Sequence, residues 1–270
     1  MFRNPQIFLT FACSGKCSYC IQGNIDRKSY PEVHYSKWIK LFTDNQFGDR
    51  LGLIGGEPTI CKGFKEIVEA LHTKYLITVT TNLKSKLFED MGGFINWAAD
   101  KRVRWNLSFH PSVLSVDKFI ELTKTMRVNG LWIDQVASVT TEEIKPDVNQ
   151  LLSSNIGFWL QTNTYLGDDG VLHPTKKELT INGAGETGIT NSKRYNFLCG
   201  GKKDISVMCV TNKFLISPNG DVYRCHRDLY ANECSIGNVF DIKNIKPNMM
   251  CYSVGECNMC DYGSIRYWRI

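Results

Sequence analysis

The sequence predicts an α/β fold built on a parallel sheet, with its ligands at the C-terminal ends of the strands. Three observations carry this. From residue 6 to about residue 163, six short β-rich runs alternate with segments of helical period. The clearest of those segments places Phe64, Ile67, Val68 and Leu71 at the i, i+3, i+4, i+7 spacing of one helix face. Capping signals stand where helices should begin: Ser115 ahead of Phe119 and Leu122, and the capping box Thr140-x-x-Glu143 ahead of Ile144, Val148 and Leu151. Strand-then-helix units in series imply parallel strands joined by right-handed crossovers.

Taken in order, the first run (6–11) leads into Cys13, Cys17 and Cys20, three thiols within eight residues. Such a loop suits one metal cluster. Tyr35, Trp38, Ile39 and Phe42 mark the first helix, and the second run (51–54) ends in Gly55-Gly56-Glu57-Pro58. Runs three to six (75–80, 103–109, 131–139 and 157–163) end in Thr80-Thr81-Asn82, Ser108-Phe109-His110-Pro111, Ala137-Ser138-Val139 and Gln161-Thr162-Asn163. Polar residues at such ends either bond the following loop or face a ligand. His110, before a proline in a turn, reads as a capping or solvated histidine as readily as a general base.

Beyond residue 165 the alternation fades. Gly183-x-Gly185-x-x-Gly188 has the form of a dinucleotide fingerprint, but no amphipathic helix follows it, so it reads as a connection or a substrate-facing loop. Lys213 to Ile216 and Asp221 to Arg224 flank Ser217-Pro218-Asn219-Gly220, which predicts a β-hairpin with Cys225 at its end and Cys209 before its start.

A length of 270 residues and an apolar share of 43% allow one large domain, or one with a small appendage. The net charge of +5 is dispersed rather than clustered, which argues against a nucleic-acid partner. The chain shows no export signal and no apolar run of membrane-spanning length, so the expected location is cytoplasmic. Eleven cysteines, an odd number in a chain of this size, point to metal rather than disulfides. A zinc knuckle would need a fourth ligand near the first triplet, for which His34 is the nearest candidate.

Cys13-x3-Cys17-x2-Cys20 with Tyr19 before the third cysteine, followed by Gly55-Gly56-Glu57-Pro58 after the second strand, resembles the radical S-adenosylmethionine (radical SAM) superfamily. The resemblance implies a partial (β/α)6 TIM-like barrel over residues 1–180. It implies a [4Fe-4S] cluster on the three cysteines, with S-adenosylmethionine (SAM) on the open iron. Tyr19, Gly55, Gly56 and Glu57 are expected at SAM, Glu57 helping to hold its amino end. Ser108 and Ser138 are the candidates for further SAM contact, and Asn82 and Gln161 for substrate contact. One electron from the cluster would cleave SAM to methionine and a 5′-deoxyadenosyl radical that takes a hydrogen atom from substrate. The reductant would be of flavodoxin or ferredoxin type.

Cys209, then Gly220-x4-Cys225, then Cys257-x2-Cys260 resembles the opening of a SPASM domain, the auxiliary-cluster extension of that superfamily. With no cysteine after Cys260, the shortened twitch form is implied: a small α+β domain over residues 181–270. Cys209, Cys225, Cys257 and Cys260 would ligate one auxiliary [4Fe-4S] cluster. Cys199 and Cys251 are rival ligands, and half of a zinc ribbon is the alternative. Cys61, Cys234 and Cys251 otherwise read as buried apolar thiols, although a free cysteine donates hydrogen in some relatives, which makes Cys234 and Cys251 candidate donors.

The expected function is hydrogen abstraction from an alcohol-bearing or nucleotide-like small molecule, in a dehydrogenation or an epimerisation. The twelve residues before Cys13 favour a small substrate over the ribosomal peptide of larger relatives. The rival of another class is a non-catalytic iron–sulfur electron carrier or sensor.

Overall fold

The structure is a computed structural model that describes residues 4–17, 20, 22, 25–138, 145–157, 159–160, 164–166, 172–174, 207–211, 214–246, 248–251 and 265–269. Six strands follow one another in parallel: β1 (Gln6–Thr10), β2 (Arg50–Gly55), β3 (Leu76–Thr81), β4 (Val103–Phe109), β5 (Ile133–Ser138) and β6 (Trp159–Leu160). Between them run α1 (Tyr35–Asp44), α2 (Phe64–Leu71), α3 (Met91–Ala98), α4 (Val116–Val128) and α5 (Lys145–Ser153). This is the expected partial barrel of strand–helix units.

Alternation along the strands decides which side meets the helices. On β4, Val103, Trp105, Leu107 and Phe109 are buried, while Arg104, Asn106 and Ser108 on the opposite side are only partly so. Period-two placement puts the apolar set in the strand–helix layer and leaves the inner side polar. From α2, the predicted Phe64, Ile67, Val68 and Leu71 are all buried in that layer, each contributing about 1.5–3 kcal/mol. On α1 the stripe is rotated slightly from its expected position. Trp38, Leu41 and Phe42 are buried, and Tyr35 and Ile39 are only partly so.

Capping follows the sequence where it is described. Ser115 accepts the backbone N–H of Lys118 at the start of α4. The box at Thr140 to Glu143 lies outside the described residues, as do the glycine-rich stretch 182–188, Tyr19, Gln161, Cys199, Cys257 and Cys260.

The predicted hairpin is present as β10 (Leu215–Ile216) and β11 (Val222–Tyr223). Its place is not legible locally: β10 pairs in parallel with β1, Gln6 opposite Leu215, so the main sheet runs β11-β10-β1-β2-β3-β4-β5-β6. A short helix, α6 (His226–Ala231), then packs Leu229 with Phe8, Phe11, Ile25, Tyr30, Leu215 and Tyr223. Two small sheets complete the described strands. β7 (Thr164–Leu166) pairs with β8 (Leu172–Pro174), and β9 (Val207–Thr211) lies between β12 (Asn248–Cys251) and β13 (Ile265–Arg269).

Candidate active site

A cavity of about 410 Å³ opens at the C-terminal ends of β1 to β4, walled by Cys13, Cys17, Cys20, Gly55, Gly56, Thr80, Asn82, Ser108 and His110 among others. The three predicted thiols therefore share one wall with both glycines, which sequence spacing alone does not require.

Backbone contact explains the glycine pair. The Gly56 N–H donates to the Thr10 carbonyl and the Glu57 N–H to the Ala12 carbonyl, each at 2.8 Å, clamping the cysteine loop to the end of β2. A Cβ on Gly55 would stand 2.2 Å from the Thr10 carbonyl oxygen, and one on Gly56 would stand 2.1 Å from that of Ala12. Only glycine fits so close an approach. The Gly55 carbonyl in turn accepts Gln22 Nε2 at 3.0 Å.

Glu57 does not reach the cavity. Its side chain is fully buried: Oε1 accepts Thr59 N (3.1 Å), Thr59 Oγ1 (2.6 Å) and Thr81 Oγ1 (2.8 Å), and Oε2 accepts Asn82 N (2.7 Å). Burial pushes its carboxyl above the usual range, and the bonds from Asn82, Thr59 and Thr81 pull it back. Through these bonds Glu57 forms a strut between the ends of β2 and β3. Asn82, expected at substrate, lines the cavity beside the cysteine loop, its Nδ2 3.6 Å from Cys13 Sγ and 3.3 Å from Ser14 Oγ.

The sulfurs have individual surroundings. Cys13 also accepts the Gly15 N–H at 3.4 Å, and Cys17 Sγ lies 3.0 Å from Ser112 Oγ. Burial pushes the Cys13 and Cys20 thiols up, and a bound cation reverses that preference toward thiolate. Three cysteines lining one cavity are the donor set that a [4Fe-4S] cluster with one iron left open takes. Among the described residues no three His, Cys, Asp or Glu converge on a single metal ion. His34 caps α1 through Ser36 instead.

Ser108 lines the cavity, and Ser138 is buried at the end of β5. His110 faces the cavity in a desolvated position that lowers its pKa to about 4, so its imidazole is neutral near pH 7. Lys16, Gln22 and Arg27 also line the wall and were missed in the sequence. No periodicity marks them, and their only signal is nearness to the cysteines.

Cys225 stands half-buried at the N-cap of α6. Cys209 lies on β9 opposite Met249 and Tyr267, and Cys251 lies on β12 opposite Val207. Cys234 is exposed rather than buried, in left-handed backbone (φ +52°), and does not line the cavity. Cys61 is half-buried, its thiol pushed up to about 12 by burial and by the nearby Glu32.

Comparison with known proteins supports the fold. No family model and no curated protein sequence matches the chain. Among solved structures, Streptococcus suis SuiB bound to S-adenosylmethionine is similar at a TM-score of 0.61 and 16% identity, over 89% of this chain and 64% of that one. A further structure of Streptococcus suis SuiB gives 0.59 at the same identity and coverage. The structure of anSMEcpe with bound AdoMet and the Cp18Cys peptide gives 0.56 at 13% identity, over 90% of this chain and 80% of that one. The chain thus spans 64% of the length of SuiB, whose fold it shares.

Proposed function

We propose that the chain is a radical SAM enzyme whose reaction centre is the cavity at the ends of β1 to β4. The observation that carries this reading is the meeting of Cys13, Cys17 and Cys20 with Gly55 and Gly56 on one wall of about 410 Å³. When bound, the cluster supplies an electron to SAM, and SAM supplies the group that takes hydrogen from substrate.

The chain's own residues set the conditions for that step. Gly56 and Glu57 hold the start of the cysteine loop by backbone bonds to Thr10 and Ala12. Lys16 and Arg27 are the only charged side chains among the described wall residues, and they suit the carboxylate of an amino-acid ligand. Ser108 and neutral His110 offer uncharged hydrogen-bonding groups opposite, which orient a substrate without adding charge.

The substrate proposed is an alcohol-bearing or nucleotide-like small molecule, undergoing dehydrogenation or epimerisation, with a flavodoxin or ferredoxin type protein as reductant. Residues 181–270 are proposed to form the twitch domain, with Cys209, Cys225, Cys257 and Cys260 on an auxiliary [4Fe-4S] cluster. The bound peptide of anSMEcpe favours a second reading, in which a peptide is modified.

Anaerobic reconstitution tests the proposal. Two clusters give about eight irons per chain, and reduction in the presence of SAM yields 5′-deoxyadenosine. Substituting Cys13, Cys17 and Cys20 by Ala abolishes that product. A cluster that reduces while SAM stays intact identifies an electron carrier instead. Adding candidate alcohols, nucleotides or peptides then separates the substrate readings by which of them raises 5′-deoxyadenosine formation.

A further inference from the structure

We propose that Asn82 is a positioning residue for the radical-generating cluster: its side-chain amide donates to the Cys13 sulfur, and buried Glu57 holds it there. The inference rests on the proposed cluster at Cys13, Cys17 and Cys20, and adds a role that neither the cysteine motif nor the Gly55 to Pro58 motif specifies.

Every link in this relay is short and local. Glu57 sits at the end of β2, fully buried, with its Oε2 taken by the Asn82 N–H at 2.7 Å. The Asn82 side chain, itself 5% exposed, is fixed from two sides. Its Oδ1 accepts the Lys84 N–H at 2.9 Å, and Ser14 Oγ lies 3.3 Å from both its Oδ1 and its Nδ2. With Oδ1 turned to the Lys84 N–H, the amide can present only Nδ2 to Cys13 Sγ, at 3.6 Å. The next residue, Leu83, is buried in left-handed backbone (φ +62°), an unfavourable conformation for a leucine. Its N–H is bonded to Thr81 Oγ1, which also donates to Glu57. Strained backbone of this kind persists only where its surroundings over-determine it. Here the over-determination aims one donor at one sulfur.

A donor on a thiolate stabilises the more negative, reduced form of the cluster it ligates, so hydrogen bonds to sulfur raise the reduction potential. Of the donors to Cys13, the Gly15 N–H is backbone and cannot be altered by a side chain. Among the described residues Asn82 is therefore the side chain that tunes the potential through Cys13, as Ser112 Oγ, 3.0 Å from Cys17 Sγ, can through Cys17.

The test is an EPR-monitored redox titration of reconstituted wild-type, Asn82→Asp and Asn82→Ala protein, in a background of Cys225→Ala so that a second cluster does not obscure the signal. Asn82→Ala removes the donor without adding charge, and is expected to lower the reduced-to-oxidised ratio at a fixed poise by about five-fold. Asn82→Asp keeps the acceptor for Lys84, removes the donor and adds a negative charge, and is expected to lower the ratio further. Glu57→Gln, which loosens the hold on Asn82, is expected to shift the ratio in the same direction by a smaller factor. Equal ratios in wild-type and Asn82→Ala protein overturn the proposal. If the Asn82 variants take up no iron, wild-type protein labelled with 15N-asparagine decides the matter, because the proposal requires hyperfine coupling to the reduced cluster and its absence overturns it. Wild-type protein that forms no [4Fe-4S] cluster refutes the functional reading itself, an outcome distinct from an unchanged potential.

Discussion

The two ends of the same parallel strands are used in opposite ways. At the N-terminal end, polar groups are spent on closing the fold. Lys74 Nζ donates to the carbonyls of Phe42, Thr43 and Asn45, each at 2.9 Å, and Tyr75 Oη to those of Phe42 (3.0 Å) and Asn45 (2.9 Å), covering the open carbonyls at the C-terminus of α1. Arg104 lies over the Trp132 ring at 3.7 Å and pairs with Asp134 at 3.6 Å. At the C-terminal end the inner polar groups hold a loop in place, and a cavity there is lined by the loop's thiols, by Lys16 and Arg27, and by the neutral His110 at the end of β4. The lesson is that polarity at a strand end is not by itself a functional signal. What separates the two ends is whether the polar atoms point into a space large enough for a ligand.

Substitutions at each end break or sharpen this comparison. The largest effect is expected from Glu57→Leu, which leaves the donors of Thr59, Thr81 and Asn82 facing an apolar side chain in a fully buried site. A loss of about 3–5 kcal/mol in urea unfolding is expected, together with loss of iron uptake. A stable Glu57→Leu protein with full iron content contradicts the strut. Next comes Gly56→Ala, whose Cβ meets the Ala12 carbonyl oxygen at 2.1 Å. Stability should fall by about 2–3 kcal/mol, and iron content measured after reconstitution should drop more steeply than the melting temperature, because the displaced segment is the cysteine loop.

At the opposite end, Lys74→Ala combined with Tyr75→Phe should cost about 1–3 kcal/mol and leave iron content and potential at wild-type values. A change in the cluster would erase the distinction between the ends. The smallest effect concerns pH. The His110 pKa is lowered from 6.5 to about 4 by burial, so the unfolded chain binds a proton that the folded one refuses. Stability contributed by His110 is therefore full above about pH 6.5 and declines as pH falls toward 4. His110→Asn should flatten that part of the acid limb, and an unchanged slope between pH 6.5 and 4 would place the histidine in solvent.

Much of this was legible in the sequence. The six strands, the buried face of α2, the Ser115 cap, the 214–224 hairpin and the grouping of the three cysteines all follow from period, turn chemistry and spacing, which act over a few residues. The α1 stripe was slightly misplaced because the helix meets its neighbours through Leu41 rather than Tyr35. The sequence marked Glu57 through its motif and Asn82 through its strand end, but the protein bonds that each makes come from tertiary contacts no local signal shows.

The sequence by itself determined the strand–helix order, the cysteine-bearing loop after β1 and the glycines that let another backbone come close. Tertiary structure alone decided that β10 extends the sheet beside β1, that the glycines approach the Thr10 and Ala12 carbonyls, and that Glu57 turns inward beneath Asn82. The reason is physical: local preferences set the dihedral angles of a segment, but the partner of a buried charge or of a bare backbone edge is whatever the folded chain brings alongside, here from 25 residues away for Glu57 and Asn82 and from the far end of the sequence for β1 and β10.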